Sequence, residues 1–256
     1  MTESPMTPGP AWTPAKPPWG FYETIGWGIL TFILWFAAQM AIVVCLLTWQ
    51  EATEPGSSDI HKMATDALSL SIVTILGSPV WIGAAAVAAR WRGWRMRDYV
   101  ALVPPGRRVL IFSIGCLLIL LAASDLLSYA LGRDVIPPFM IEAYTSARTP
   151  TALALLFVAI VVVAPVCEEV AFRGFLFRGL GTSRFGASGG VLLTAAAWSL
   201  MHVQYDWFVI SEIFLLGLLF GWLRWASGST LLTIVLHVIA NFSAFMETAI
   251  KVEWLS

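Results

Sequence analysis

The sequence predicts an all-α, polytopic transmembrane helix bundle of about seven spans, because a span needs roughly 20 largely apolar residues to cross a hydrocarbon core about 30 Å thick. Composition, the lengths of the uncharged runs and the placement of arginine carry this reading. Of 256 residues, 58% are apolar and 12% charged, about half the usual charged share of a soluble domain. The formal net charge of −1 argues against a nucleic-acid or strongly acidic partner and leaves the lipid bilayer as the solvent.

The elements follow in chain order. Residues 1–19 hold Pro5, Pro8, Pro10, Pro14, Pro17 and Pro18 without a periodic apolar face. They read as a disordered, Pro-rich cytoplasmic tail, lacking the charged start and early apolar core of a cleavable signal peptide. A charge-free run covers Thr24 to Gln50, and further runs cover Ala67 to Ala89, Val109 to about Leu131 (interrupted by Asp125) and Thr149 to Cys167. Three more fall at roughly 185–205, 207–223 and Trp225 to Met246. The division is then a tail at 1–19, N-terminal transmembrane helices at 20–148, and a four-helix C-terminal core at 149–250.

Arginine orients the chain. Arg90, Arg92, Arg95, Arg97, Arg107 and Arg108 crowd the loop between spans two and three, whereas the preceding loop carries Glu51, Glu54, Asp59 and Asp66. The positive-inside rule makes the arginine loop cytoplasmic, with the N-terminus inside. Arg173, Arg178 and Arg184 after span four, and Arg224 after span six, fall on the same side.

The residues most costly to insert are the most informative. Glu168 and Glu169 close a strongly apolar run, where a carboxylate costs about 2.5–3.5 kcal/mol on insertion scales. Glu169 and Arg173 share a helix face four residues apart, a spacing that allows an ion pair, while Glu168 points about 100° away. His202 and His237 lie within predicted spans, where ionisable residues are rare and functional by default. His61 sits in the acidic loop and reads as solvated. His237 and Asn241 are spaced i, i+4 on one face. Counting helical rise from the cytoplasmic ends puts Glu168, His202 and His237 roughly 18, 21 and 13 Å deep, one layer near the midplane. Pro165 is expected to bend span four.

A hydrolytic site fits these residue types. A carboxylate in an apolar site has raised proton affinity and suits a general base. Glu168 would take a proton from a water that His202 helps hold, and His237 and Asn241 would donate to the oxyanion. A single divalent metal such as zinc, ligated by Glu168, His202 and His237, is equally compatible by residue type.

Glu-Glu-x-x-x-Arg at 168–173, aromatic-x-x-x-His at 198–202 and His-x-x-x-Asn at 237–241 resemble, in order and spacing, the three motifs of the CAAX-protease and bacteriocin-processing (CPBP, Abi) membrane family. Gly217 to Asn241 also resembles the final helices of bacterial members. The resemblance covers about residues 150–245. It implies an intramembrane endopeptidase in which Glu168 and His202 activate water, His237 and Asn241 stabilise the oxyanion, and Glu169 and Arg173 support the site. The family is called a metalloprotease family, and a metal-free glutamate mechanism has also been argued for it. Trp198 stands where the family more often has Phe. The implied substrate is a membrane-tethered or hydrophobic peptide, and the implied location is a bacterial inner membrane.

Other readings explain less. Gly186-Ala-Ser188-Gly189 spells a rhomboid-like GxSG, but in the wrong order relative to His-x-x-x-Asn, and it would leave both glutamates unexplained. No His-Glu-x-x-His is present. Gly217 and Gly221 form a GxxxG that reads as helix packing. Asp125 and Glu212 read as interface acids, and Cys45 and Cys116 as small buried hydrophobes. A non-catalytic immunity or scaffold protein, or a proton-coupled transporter, is the alternative from another class. No internal repeat supports a transporter, and all six motif residues are present.

Overall fold

A computed structural model describes residues 19–56 and 59–255; the proline-rich tail expectation falls on residues 1–18, outside the described residues, as does the side chain of His61. The described residues are helical and contain no strand. Six helices are long and apolar enough to cross a membrane. These are α1 (Phe21–Thr53), α3 (Ala67–Trp91), α5 (Arg107–Ala130), α7 (Pro150–Gly181), α9 (Trp207–Ser227) and α10 (Thr230–Trp254). Shorter helices are α2 (Ile60–Thr65), α4 (Met96–Tyr99), α6 (Pro138–Thr145) and α8 (Gly186–Ser199).

The expected fifth span is the point of difference. The helix there, α8, has 14 residues, about 21 Å of rise, too short to cross the core alone. A turn at 200–206 ends it, so His202 lies just beyond a helix and not inside a span. Asp206 explains the turn: its carboxylate accepts from the N–H groups of Phe208 and Val209 and starts α9.

The outer helices face lipid. On α1, Ile29, Leu30, Ile33 and Phe36 are exposed, as an apolar solvent permits. Cys45 is exposed on the same helix, contrary to the expectation of burial, and Cys116 is half-buried. Trp19, assigned by sequence to the tail, is buried and donates its indole N–H to Ala88 O at 3.1 Å.

The C-terminal helices pack with small residues at their contacts. A Cβ on Gly190 of α8 would lie 2.8 Å from the Gly181 nitrogen, and one on Gly217 of α9 would lie 3.0 Å from Ala195 Cβ. A Cβ on Gly221 would meet Val191 at 2.9 Å. The GxxxG is therefore a packing contact between α9 and α8, as its spacing predicts.

The arginines divide by burial. Arg90, Arg92, Arg95, Arg97, Arg107, Arg108 and Arg184 are exposed, but Arg173, Arg178 and Arg224 are buried. Arg178 donates to the carbonyls of Asp98 and Tyr99. Arg224 Nε donates to Arg173 O at 3.0 Å and Thr230 Oγ1 at 2.8 Å. The Thr230 hydroxyl then donates to Val100 O at 2.6 Å, and its N–H donates to Ala101 O at 3.0 Å. Ala101 sits at φ 53°, a left-handed value rare for a residue with a Cβ. The loop between α3 and α5 is thus stitched by backbone carbonyls to the start of α10, the helix that carries His237.

Candidate active site

Helix α7 is irregular where the glutamates lie. A short α segment, Ala164–Glu169, is flanked by π turns at Val158–Val163 and Val170–Leu176. Proline has no N–H and its ring clashes with the carbonyl four residues back, and a widened turn accommodates Pro165. The N–H of Ala164 reaches Ala159 O, five residues back. The same pattern would pair Ile160 O with residue 165, which is a proline. The Asn241 amide donates to that carbonyl instead, at 2.8 Å. One hydrogen of the Asn241 amide is therefore committed to α7, and its second remains for other partners.

Glu169 and Arg173 form the ion pair that their spacing predicts. Arg173 Nη1 lies 2.9 Å from Glu169 Oε1, and both side chains are 0% exposed. The same carboxylate oxygen receives His237 Nδ1 at 3.0 Å. Arg173 also donates to Gly217 O at 3.3 Å, and its guanidinium lies 4.4 Å from the centre of the Trp198 ring. A buried charge is tolerated only when paired and hydrogen-bonded, and Arg173 has one carboxylate, one carbonyl and two ring faces around it.

Glu168 is only half-buried and points elsewhere, as the helical rotation predicts. Its Oε2 accepts the indole N–H of Trp198 at 2.6 Å. The backbone carbonyl of Trp198 lies 2.9 Å from His202 Nδ1. A carbonyl only accepts, so Nδ1 carries the hydrogen and Nε2 of His202 is left as an acceptor. The imidazoles of His202 and His237 pack edge-on against the Trp198 ring, at 5.3 and 5.1 Å. Glu168, His202, His237 and Arg173 therefore all meet one indole. Asn241 approaches from one turn further along α10 through its bond to α7.

The metal alternative requires Glu168, His202 and His237 to converge as donors, and among the described residues no three His, Cys, Asp or Glu side chains group as a metal set. His237 Nδ1 is on Glu169, His202 Nδ1 is on a carbonyl and Glu168 Oε2 is on an indole, which leaves each of the three one uncommitted donor atom.

Residues 150–243 match the family model described as type II CAAX prenyl endopeptidase Rce1-like. This segment is similar to the CAAX-protease family. The matched stretch begins at the first residue of α7 and ends just past Asn241, so it holds all six motif residues. A protein of Escherichia coli, described as an uncharacterized 24.3 kDa protein, is 30% identical over 131 residues, which is 50% of this chain and 59% of that relative. The chain thus spans less than two thirds of that relative's length. No solved structure matches.

Some contacts of this CAAX-protease-like segment were not legible. The Trp198–Glu168 hydrogen bond carries no sequence signal beyond an aromatic four residues before His202. Glu212, read as an interface acid, accepts from Ser124 at 2.5 Å and Ser128 at 3.4 Å, tying α9 to α5. The i, i+4 spacing of those serines on α5 was the available clue. Ser188 lies exposed in the first turn of α8.

Proposed function

We propose that this chain is an integral membrane endopeptidase that hydrolyses a peptide bond in a membrane-tethered or hydrophobic peptide, with Glu168 as the base that activates water. The observation that carries this reading is the gathering of Glu168, His202 and His237 around Trp198, within a segment similar to the CAAX-protease family.

The roles follow from the free atoms. Glu168 has one oxygen on the indole, leaving the other to take a proton from water. His202 Nε2, with Nδ1 held by a carbonyl, orients that water. The water oxygen bonds to the scissile carbonyl carbon, and the carbonyl electron pair moves onto oxygen as an oxyanion. His237 donates to the oxyanion through Nε2 only if it carries both ring protons, because Nδ1–H stays on Glu169. Its Nδ1–H bond to Glu169 is kept in that form. The second Asn241 amide hydrogen is the other donor. Collapse of the intermediate breaks the C–N bond, and Glu168 delivers its proton to the leaving amine. Preorganised donors of this kind are each worth about 10²–10³ in rate.

We place the protein in a bacterial inner membrane with the N-terminus cytoplasmic. The exposed arginines at 90–108 support this orientation. The test compares peptide termini, by mass spectrometry, in membranes expressing the wild type or Glu168→Gln. Defined termini that appear only with the wild type are expected. Identical peptide pools from two folded proteins would favour the immunity or scaffold reading.

A further inference from the structure

We infer that Trp198 is the positioning residue of this site, fixing the general base with its side chain and the water-holding histidine with its main chain. The inference rests on the hydrolytic reading above, and adds a residue whose role the glutamate and histidine motifs do not define.

Four observations converge on it. The indole N–H donates to Glu168 Oε2 at 2.6 Å, a charge-assisted hydrogen bond when the carboxylate is ionised. The Trp198 carbonyl takes His202 Nδ1–H at 2.9 Å and so sets both the tautomer and the ring plane of that histidine. The ring itself cannot drift: it is 2% exposed, with the Arg173 guanidinium over one face and Phe220 tilted against it at 6.2 Å. Space for it depends on a missing side chain, because a Cβ on Gly217 would lie 3.2 Å from Trp198 Cε3. The residue is held by the buried ion pair and holds the two groups that handle water.

The chemistry gives the N–H a function that a hydrophobic ring lacks. A free glutamate side chain samples several rotamers, and a half-buried one retains part of that freedom. A donor fixed on Oε2 leaves Oε1 as the oxygen presented to water. Misplacement of a reacting group by about 1 Å can cost on the order of 10²-fold in rate. Phenylalanine would preserve the packing, the face offered to Arg173 and the main-chain bond to His202, and would remove only the N–H.

The experiment has two arms. In the first, indole ¹⁵N–¹H spectra of the detergent-solubilised full chain are recorded for wild type, Trp198→Phe (to assign the resonance) and Glu168→Ala. The Trp198 signal is expected downfield in the wild type and shifted upfield in Glu168→Ala, with the other indole signals unmoved. A Trp198 resonance indifferent to Glu168→Ala would overturn the inference, whether or not the protein proves to be a protease. In the second arm, Trp198→Phe is assayed against a peptide that the wild type cleaves. The expected result is a kcat lower by about tenfold or more with KM unchanged, since the base is misaligned and substrate binding is not. An unchanged kcat, or a rise in KM alone, would also overturn it. Absence of cleavage by the wild type would instead defeat the hydrolytic reading and leave the spectroscopic arm to decide the contact.

Discussion

Removing Glu169 should unfold this protein more readily than removing any surface charge. The carboxylate is 0% exposed, bonded at 2.9 Å to a guanidinium that is also 0% exposed, and at 3.0 Å to His237. Glu169→Leu would strand Arg173 inside the bundle with a carbonyl and two ring faces but no carboxylate bonded to it. Breaking a buried pair from one side costs about 3–5 kcal/mol. For a chain of this size each kcal/mol moves the midpoint by roughly 2–4 °C, so the expected loss is about 6–20 °C. The assay is thermal unfolding in detergent, followed by tryptophan fluorescence. A double variant, Glu169→Leu with Arg173→Met, removes both charges at similar volume and should recover most of the lost stability, because isosteric apolar replacement of a buried pair is often neutral. It should remain inactive, since His237 has lost its partner. A single variant within about 2 °C of the wild type would refute the reasoning, as would a double variant no more stable than the single.

Three further outcomes are expected. Gly190→Ala would push a Cβ to within 2.8 and 2.9 Å of Gly181 backbone atoms, at a cost of about 1–3 kcal/mol in the same melt, whereas Gly83→Ala meets nothing within 4 Å inside a helix and should not lower the midpoint. Thr230→Val removes the hydroxyl shared by Arg224 and Val100, should cost about 1–3 kcal/mol, and should speed proteolysis of the loop between α3 and α5. The Asp206 carboxyl is held below its ordinary 3.8 by the Val209 N–H first, then by Arg133 and the Phe208 N–H. A depressed carboxyl stabilises the fold above the unfolded value and loses that contribution as pH falls through the folded one. The midpoint gap between wild type and Asp206→Ala should therefore hold steady from neutral pH down to about 4 and narrow below it; a gap that widens in acid would contradict the assignment.

The helical bundle was legible because lipid imposes few solutions: long apolar runs with sparse charge become spans, and α1, α3, α5, α7, α9 and α10 all follow such runs. The Glu169–Arg173 pair was legible because it is local, set by i, i+4 geometry within one helix. The α8 boundary was not. Apolar residues continue through Leu200, Met201 and Val203, and the Asp206 cap that stops them acts from the next helix. The burial of Arg178 and Arg224 was not legible because their acceptors are tertiary: Arg178 donates to carbonyls about 80 residues earlier in the chain, and Arg224 to Arg173 O on α7 and to Thr230 Oγ1. The approach of Trp198 to Glu168 across 30 residues is likewise tertiary, and spacing alone does not encode it. The π turns around Pro165 show both sides of this limit: the proline announced an irregularity, and the bond from Asn241 decided how its orphaned carbonyl is met.

The most direct test of the central claim uses purified protein in liposomes, a membrane-tethered peptide identified from the terminus comparison, and water enriched in ¹⁸O. The account predicts that the wild type releases a product whose new C-terminal carboxylate carries one solvent oxygen, and that Glu168→Gln, folded to the same melting point, releases none. Equal cleavage by both proteins would contradict the assignment of Glu168 as the base that activates water.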